Sequence, residues 1–217
     1  MLFFNQTPSH ITEPVFGRDI SFYFFNLSLF QTALDLALLF LIVIALSNFI
    51  LTFYLQGINK NAFKVLAKRI VYFIVAFLVL LIIGFQLQGA NLLYSSRGVA
   101  QGAGYVDLKV TLPMYYIASV VCVVSIITIL LGMKKRNLKL AATGPALLLI
   151  VLLVGSIGGN VIQSMVVKPA EISKEQPYIE RNIELTNTAY GLNKISEVEF
   201  PADGQLTVGD LQEEEDT

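Results

Sequence analysis

Charged residues are scarce in this chain. They make up 14% of its 217 residues, whereas hydrophobic residues make up 55%. A soluble domain usually carries about 25% charged residues. The shortage excludes an ordinary soluble globular protein and predicts an integral membrane protein. We therefore expect the lipid bilayer as its main partner and no nucleic-acid partner.

Cysteine and histidine are almost absent, with Cys122 and His10 as the single examples. One cysteine excludes an intrachain disulfide, and one of each excludes a zinc site of Cys/His type. Cys122 lies in an apolar run, where it serves as a small apolar residue. The apolar segments also lack a pair of His, Asp or Glu and a nucleophile–base pair. We predict no catalytic, cofactor-binding or metal-binding residues in this chain.

Long apolar runs, in contrast, are abundant. Four of them reach the length of about 20 residues that a helix needs to cross a bilayer. Helices are expected because backbone amides in hydrocarbon must be paired within their own segment. The chain is therefore predicted to be an all-α membrane protein with four transmembrane helices in two hairpins. The predicted spans, within a membrane region at 33–167, are roughly 33–55, 70–87, 112–132 and 145–167.

The connections between the spans differ in charge. Linkers 56–69 and 133–143 each contain four Lys or Arg residues and no acid, whereas 88–111 balances Arg97 and Lys109 with Asp107. Under the positive-inside rule, the two basic linkers are cytoplasmic. Both ends of the chain and the connection 88–111 are then extracytoplasmic. The predicted location is the cell membrane, with multi-pass topology.

Two outer segments have patterns of their own. Residues 14–32, within an outer segment at 1–32, contain six aromatic residues. They predict a helix lying at the membrane interface, with a simple extension of the first span as the alternative. In 106–112, apolar Val106, Leu108, Val110 and Leu112 alternate with polar residues, which predicts a strand.

The final segment, 168–217, contains 12 of the 16 acidic residues. A helix is predicted over 174–192, with Pro177 in its first turn and Gly191 as its C-cap, followed by a short strand at 197–202. About fifty residues rarely form an independent core. We therefore predict a small mixed α/β segment that begins an extracytoplasmic domain and is completed by further chain.

Arg97 and Asp107 are candidate contacts for an extracytoplasmic protein partner, because loops on rigid scaffolds often carry function. A turn-rich loop of fixed shape is the simpler interpretation. Gly155 and Gly159 form a GxxxG pattern in the fourth span, which is typical of close helix packing.

Asn160, Gln163 and Ser164 share one helical face just beyond those glycines. Polar groups at this depth favour the interior of a bundle. The face is a candidate for a polar intramembrane cavity that takes a substrate or an ion. Hydrogen bonding between helices is the simpler interpretation.

Three long runs contain rare combinations of residues and match a known family in residue type and order. They are EPVFGRDISFYFFNLSLFQ (13–31), LLYSSRGVAQGAGYVDLKVTLP (92–113) and KPAEISKEQPYIERNIELTNTAYGL (168–192). The chain resembles the bacterial membrane proteins called uncharacterised protein family 0182, and the spans match them in hydropathy. The resemblance implies about seven membrane helices followed by a large extracytoplasmic domain. This chain would then be an internal fragment, with the missing parts of its own chain as partners. It implies no catalytic residues.

Three functions compete on this basis. The first is a multi-pass membrane base that anchors and orients an extracytoplasmic domain, since the distinctive polar sequence lies outside the spans. The second is a component of a transporter or channel, suggested by the polar face on the fourth span. The third, a membrane-embedded enzyme, is least favoured because the spans offer no catalytic constellation.

Overall fold

The computed structural model describes residues 7–57, 60–98 and 101–195. Within these ranges the chain is helical, apart from turns, loops and one isolated antiparallel bridge between Thr12 and Asp19. The α-helices are α1 (Ser28–Gln56), α2 (Lys60–Asn91), α3 (Leu112–Lys134), α4 (Leu138–Ile162) and α5 (Glu171–Tyr190). Short 3₁₀ turns lie at Leu92–Tyr94, Lys168–Ala170 and Leu192–Lys194.

In the described part of the chain, four continuous helical stretches are long and apolar enough to span a membrane. They contain the four predicted spans and extend beyond them, because helical turns continue from the apolar runs into the flanking sequence. Their bounds are Phe22–Leu55, Val65–Tyr94, Asp107–Lys134 and Leu138–Tyr190.

Among the described residues, three π-helical segments lie within these stretches, at Phe22–Leu27, Asp107–Thr111 and Gln163–Val167. The second and third are each followed, two residues after their end, by Pro113 and Pro169. Proline lacks the N–H that would bond four residues back. A π-turn changes the register of the hydrogen bonds at such a site and lets the helix continue.

Helices α1 and α2 run antiparallel. Near the end of α1, Asn48 and Thr52 accept hydrogen bonds from Nη1 of Arg69, near the start of α2, at 3.2 and 3.3 Å. At the other end, a Cβ on Gly84 would lie 3.4 Å from Leu34. The end of α1 thus contacts the start of α2, and the start of α1 contacts the end of α2.

Helices α2 and α3 are antiparallel as well. The rings of Phe85 and Tyr115 stack with centroids 5.9 Å apart, and Gln86 Nε2 donates to Ser119 Oγ at 3.5 Å. Their shared core also takes in α4 through Leu148. The buried members of this core are Leu78, Ala118, Val121, Cys122, Ile129 and Leu148.

The α3–α4 pair is the most closely packed, because glycines remove side chains from the contact. A Cβ on Gly132 would lie 2.6 Å from Ala141, and one on Gly144 would overlap the backbone of Ser125. At the far end of the pair, a Cβ on Gly155 would overlap the side chain of Met114. The sequence of contacts again gives an antiparallel hairpin.

Outside these contacts the helices present apolar surface. Phe40 and Ile50 of α1 are 62% and 66% exposed, and Leu149 of α4 is 63% exposed. Contact of such a large apolar surface with water is unfavourable, whereas contact with the hydrocarbon of a bilayer is not. The exposure therefore fits a chain that lies in a lipid bilayer.

The antiparallel pairings give the assembly two chemically different ends. We call the end with the start of α2 and the α3–α4 turn the basic end, because Lys60, Lys64, Lys68 and Arg69 and then Lys134, Lys135, Arg136 and Lys139 occur there in sequence. We call the opposite end, which contains the α2–α3 connection, the Arg97 end.

The predicted strand at 106–112 is wrong. Residues Asp107–Thr111 are π-helical and lead directly into α3. Val106 and Val110 are four residues apart, so the same apolar pattern also fits a helix. In a strand, Asp107 and Lys109 would share one face, but in the structure Asp107 is buried and Lys109 is exposed.

The structure also lacks the separate interface helix that was predicted within residues 14–32. Helix continues from the π-segment Phe22–Leu27 into α1 without a break, as in the alternative interpretation. Residues 12–19 form a turn closed by the Thr12–Asp19 bridge.

Helix α5 confirms the predicted helix in the final segment, with an earlier start. Pro177 therefore lies inside the helix instead of in its first turn. Gly191 follows the helix with φ of 70°, a left-handed conformation that glycine adopts without strain. The chain divides after Asn182 into two compact units, the second of which begins with the end of α5. The strand predicted at 197–202 lies outside the described residues.

Candidate functional site

The structure joins two predicted site residues, Arg97 and Asp107, in an ion pair. Nη1 of Arg97 lies 3.5 Å from Oδ1 of Asp107 and donates to Thr111 Oγ1 at 3.4 Å. The Asp107 side chain is 2% exposed and that of Arg97 is 39% exposed. Asp107 is thus inaccessible to a protein partner on this surface, whereas Arg97 remains accessible.

Asp107 is incompletely satisfied. Its Oδ2 is buried and has no hydrogen-bond partner within the described part of the chain. A buried carboxylate oxygen without a partner is costly, so Asp107 depends strongly on Arg97 for compensation. The ion pair is therefore expected to hold the α2–α3 connection to the start of the third stretch.

Arg97 also lies beside α4. A Cβ on Gly159 would be 3.7 Å from Arg97 Nη1 and 3.9 Å from Val106 Cγ1, which are ordinary van der Waals distances. Gly155, one turn earlier, lies against Met114 of α3. The two glycines of the GxxxG pattern therefore face elements of the same chain.

A second contact at the Arg97 end involves Glu175 of α5, which is 3% exposed. Its two carboxylate oxygens accept the backbone N–H of Tyr105 at 3.2 and 3.3 Å. Tyr105 begins the helical run that continues into α3. Amides in the first turn of a helix lack partners within the helix and attract anions, so Glu175 acts as a cap supplied by a distant helix.

The residue before Tyr105 makes this contact sterically selective. A Cβ on Gly104 would lie 2.9 Å from Oε2 of Glu175, closer than a carbon normally approaches. Gly104 is therefore required by the close approach of the carboxylate.

Further contacts extend the junction along α5. The ring of Tyr178 meets that of Tyr105 edge-on with centroids 6.4 Å apart, and Lys174 Nζ lies 5.5 Å from the centre of the Tyr105 ring. Nδ2 of Asn182 donates to the carbonyl of Gln101 at 2.6 Å. The first three turns of α5 are thus fixed to the segment that precedes α3.

The turn at residues 9–21 uses its acids to bind backbone amides. Glu13 accepts the N–H groups of Val15 at 2.6 Å and Phe16 at 2.8 Å. Asp19 accepts the Ser9 hydroxyl at 2.6 Å and the Ser21 N–H at 2.7 Å. These bonds favour the ionised form, with the Ser9 hydroxyl as the largest cause, and hold the pKa of the Asp19 carboxyl well below its usual range.

The predicted polar face on the fourth stretch is not buried inside the described bundle. Asn160 and Ser164 are exposed and Gln163 is half-buried. Ser164 Oγ donates to the carbonyl of Val161 in its own helix, at 3.1 Å. Gln86, near the end of α2, donates to Ser119 of α3 and not to this face.

Two contacts were missed in the sequence, that of Glu175 at the Arg97 end and that of Arg69 at the basic end. Glu175 is one of many acids in the final segment, and nothing local distinguishes it. Arg69 was counted as a topology signal, although Asn48 and Thr52, one helical turn apart within an apolar run, could have indicated a cationic partner. In the described ranges, no three His, Cys, Asp or Glu side chains group together as metal ligands would.

Comparison with known proteins confirms the family resemblance that the sequence suggests. The family model described as Uncharacterised protein family (UPF0182) matches residues 1–217. A UPF0182 protein of Clostridium acetobutylicum is 34% identical over 96% of this chain and 25% of its own length. One from Moorella thermoacetica is 36% identical over 98% of this chain and 24% of its own.

A UPF0182 protein of Desulforamulus reducens is similar at 34% identity, with 99% of this chain covered and 24% of its own length. The chain thus spans about a quarter of the length of the curated relatives it matches. No solved structure matches it. The match over all 217 residues and the identity to these relatives show that this chain belongs to the UPF0182 family.

Proposed function

We propose that this chain is part of a multi-pass base in the cell membrane that anchors and orients an extracytoplasmic domain. The observation that carries the proposal is the cap that Glu175 of α5 places on the amide of Tyr105. It ties the helix that leaves the apolar region to the start of α3. A rigid junction of this kind would fix the direction in which the following chain emerges.

The proposed orientation puts the basic end in the cytoplasm and the Arg97 end outside, following the positive-inside rule. We further propose that the chain is an internal segment of a longer protein, which its share of the relatives' length supports. Cysteine labelling of intact cells tests the orientation in a Cys122→Ser background. Ala103→Cys should react with an impermeant reagent and Asn137→Cys should not, and the opposite pattern would contradict it.

The anchoring role is tested in the full-length protein by comparing two groups of variants. Glu175→Ala removes the cap, whereas Asn160→Leu changes a polar residue that is exposed on α4. We expect Glu175→Ala to increase protease cleavage after α5 and to leave membrane insertion intact. Asn160→Leu should change neither. A larger effect of Asn160→Leu on cleavage would argue against the base.

A transporter or channel component is the second candidate, because Asn160, Gln163 and Ser164 could line a polar path with further helices of a longer chain. Flux across liposomes containing the full-length protein tests it. Flux should fall in Asn160→Leu and Gln163→Leu if this face conducts. Flux that is unchanged in both variants would remove the candidate.

A further inference from the structure

A cleft of ≈ 140 Å³ opens at the Arg97 end, on the side of the turn at residues 9–21. Three segments form it: the turn and the start of the first stretch, the end of α2, and the start of α3. Its lining includes Arg18, Phe22, Gln86, Tyr115 and Tyr116. The cleft thus lies where apolar helices meet polar turns, the depth at which lipid headgroups occur.

Arg18 is the one charged residue among the described residues that line the cleft. Its guanidinium carbon lies 4.5 Å from the centre of the Phe22 ring, a cation–π contact. Such a contact uses the charge without occupying the five N–H donors of the guanidinium. A ligand with several acceptor oxygens could therefore still bind to Arg18.

The acids of the same turn bond other groups than the Arg18 guanidinium. Glu13 bonds the amides of Val15 and Phe16, and Asp19 bonds Ser9, His10 and Ser21. Within the described ranges, Arg18 forms no ion pair, although two carboxylates lie within five residues of it. The turn is built so that its carboxylates hold the backbone and its cation stays available.

The remainder of the lining suits an amphiphile. Gln86, Tyr115 and Tyr116 carry hydrogen-bond donors, while Phe16, Phe22, Phe85, Leu87 and Leu112 supply apolar surface. Tyr116 is 48% exposed and Val120, one turn further along α3, is 63% exposed, so apolar surface continues from the cleft along α3. An acyl chain could follow that surface, whereas the cleft itself has room for a headgroup and no more.

We propose that this cleft binds the phosphate group of an anionic phospholipid, with Arg18 as the principal ligand. Arginine matches phosphate because its planar donors can bond two oxygens at once. The acyl chains then lie against the exposed side chains of α3. The protein would in this way select a lipid at the Arg97 end, independently of what the attached domain does.

The probe is phosphatidylglycerol, and the measurement is its retention by the full chain in native mass spectrometry from mixed micelles. We expect Arg18→Gln to lower retention at least about fivefold, as for one cation at a lipid surface. Arg18→Lys should recover part of it. Lys109→Gln, which removes one exposed cation near the same end, is the matched control and should retain the lipid. Circular dichroism of each variant checks that the helices are intact.

A second set of measurements distinguishes a lipid phosphate from free inorganic phosphate as the ligand. Phosphatidylglycerol should be preferred over phosphatidylcholine, and inorganic phosphate at millimolar concentration should not displace it. Displacement by inorganic phosphate would replace the lipid with a free anion and overturn the proposal. Equal losses in Arg18→Gln and Lys109→Gln would overturn it as well, since the cation of the cleft would then have no special role.

Ala90→Phe provides an independent variant, because it fills the cleft without changing charge. We expect the same loss of phosphatidylglycerol as in Arg18→Gln. Full retention in Ala90→Phe would show that the lipid binds elsewhere and would contradict the proposal.

Discussion

Glu175 accepts the backbone N–H of Tyr105 with both carboxylate oxygens, although the two residues are 70 positions apart in the chain. We expect Glu175→Ala to lower the free energy of unfolding by about 1–2 kcal/mol, because it leaves a helix-start amide without its charged partner. Thermal unfolding in detergent measures the loss. Hydrogen exchange at the Tyr105 amide should become faster in the same variant.

The matched control is Glu180→Ala, which removes an exposed carboxylate that bonds Gln176 within α5. It should change the free energy of unfolding by less than about 0.5 kcal/mol, as surface pairs do. If the two variants unfold at the same temperature, the cap contributes nothing beyond a surface charge.

The Arg97–Asp107 pair predicts coupled effects of substitution. Removing Arg97 leaves a buried carboxylate without compensation, whereas removing both groups leaves neither charge. A double-mutant cycle of Arg97→Ala and Asp107→Ala should give a coupling energy of roughly 1–2 kcal/mol, below the range for fully buried pairs since Arg97 is partly solvated. Additive effects of the single changes would show that the pair is not energetically linked.

The contact between α3 and α4 predicts opposite outcomes for two glycines of α4. Gly144→Ala places a Cβ onto the backbone of Ser125, so the helices must separate. We expect a loss of roughly 1–3 kcal/mol from overpacking. A methyl group added at Gly158 would meet no neighbouring helix or side chain of the described residues within 4 Å, so Gly158→Ala should be neutral or stabilise slightly through helix propensity. Unfolding in detergent ranks the two, and a loss in Gly158→Ala equal to that in Gly144→Ala would contradict the packing.

Asp19 predicts a pH dependence with a defined sign. Its pKa is lowered below the ordinary value of 3.8 by the Ser9 hydroxyl and the Ser21 hydroxyl and amide. A lowered folded-state pKa gives stability that is present above the ordinary value and lost as pH falls through the folded one. The NMR signal of the Asp19 carboxyl carbon should therefore stay in its ionised position at pH 3.8. Ser9→Ala should move the titration towards the ordinary value, and an unchanged midpoint would exclude that bond.

Hydropathy was sufficient to predict the four long helices, because hydrocarbon leaves the backbone few alternatives. It could not fix their ends. The amide of Tyr105, just before the third stretch, is bonded by Glu175 of another helix, and the alternation at 106–112 includes a π-turn before Pro113. Local patterns do not contain such distant contacts.

The candidate sites were predicted unevenly for a similar reason. Arg97 and Asp107 stand out in sequence as charges in a polar loop, and the structure pairs them. The burial of Asp107 could not be foreseen, since it depends on elements that meet only after folding. Arg69 was hidden among topology signals, because its partners Asn48 and Thr52 belong to the preceding helix.

The glycine contacts between α3 and α4 also bear on how the protein is made. Helices that touch through Gly132 and Gly144, on the two sides of their connecting turn, can close on each other as soon as both have emerged from the ribosome. During biogenesis the α3–α4 hairpin would insert into the bilayer as one unit. Helix α1, which has few buried residues, would enter by its own hydrophobicity alone.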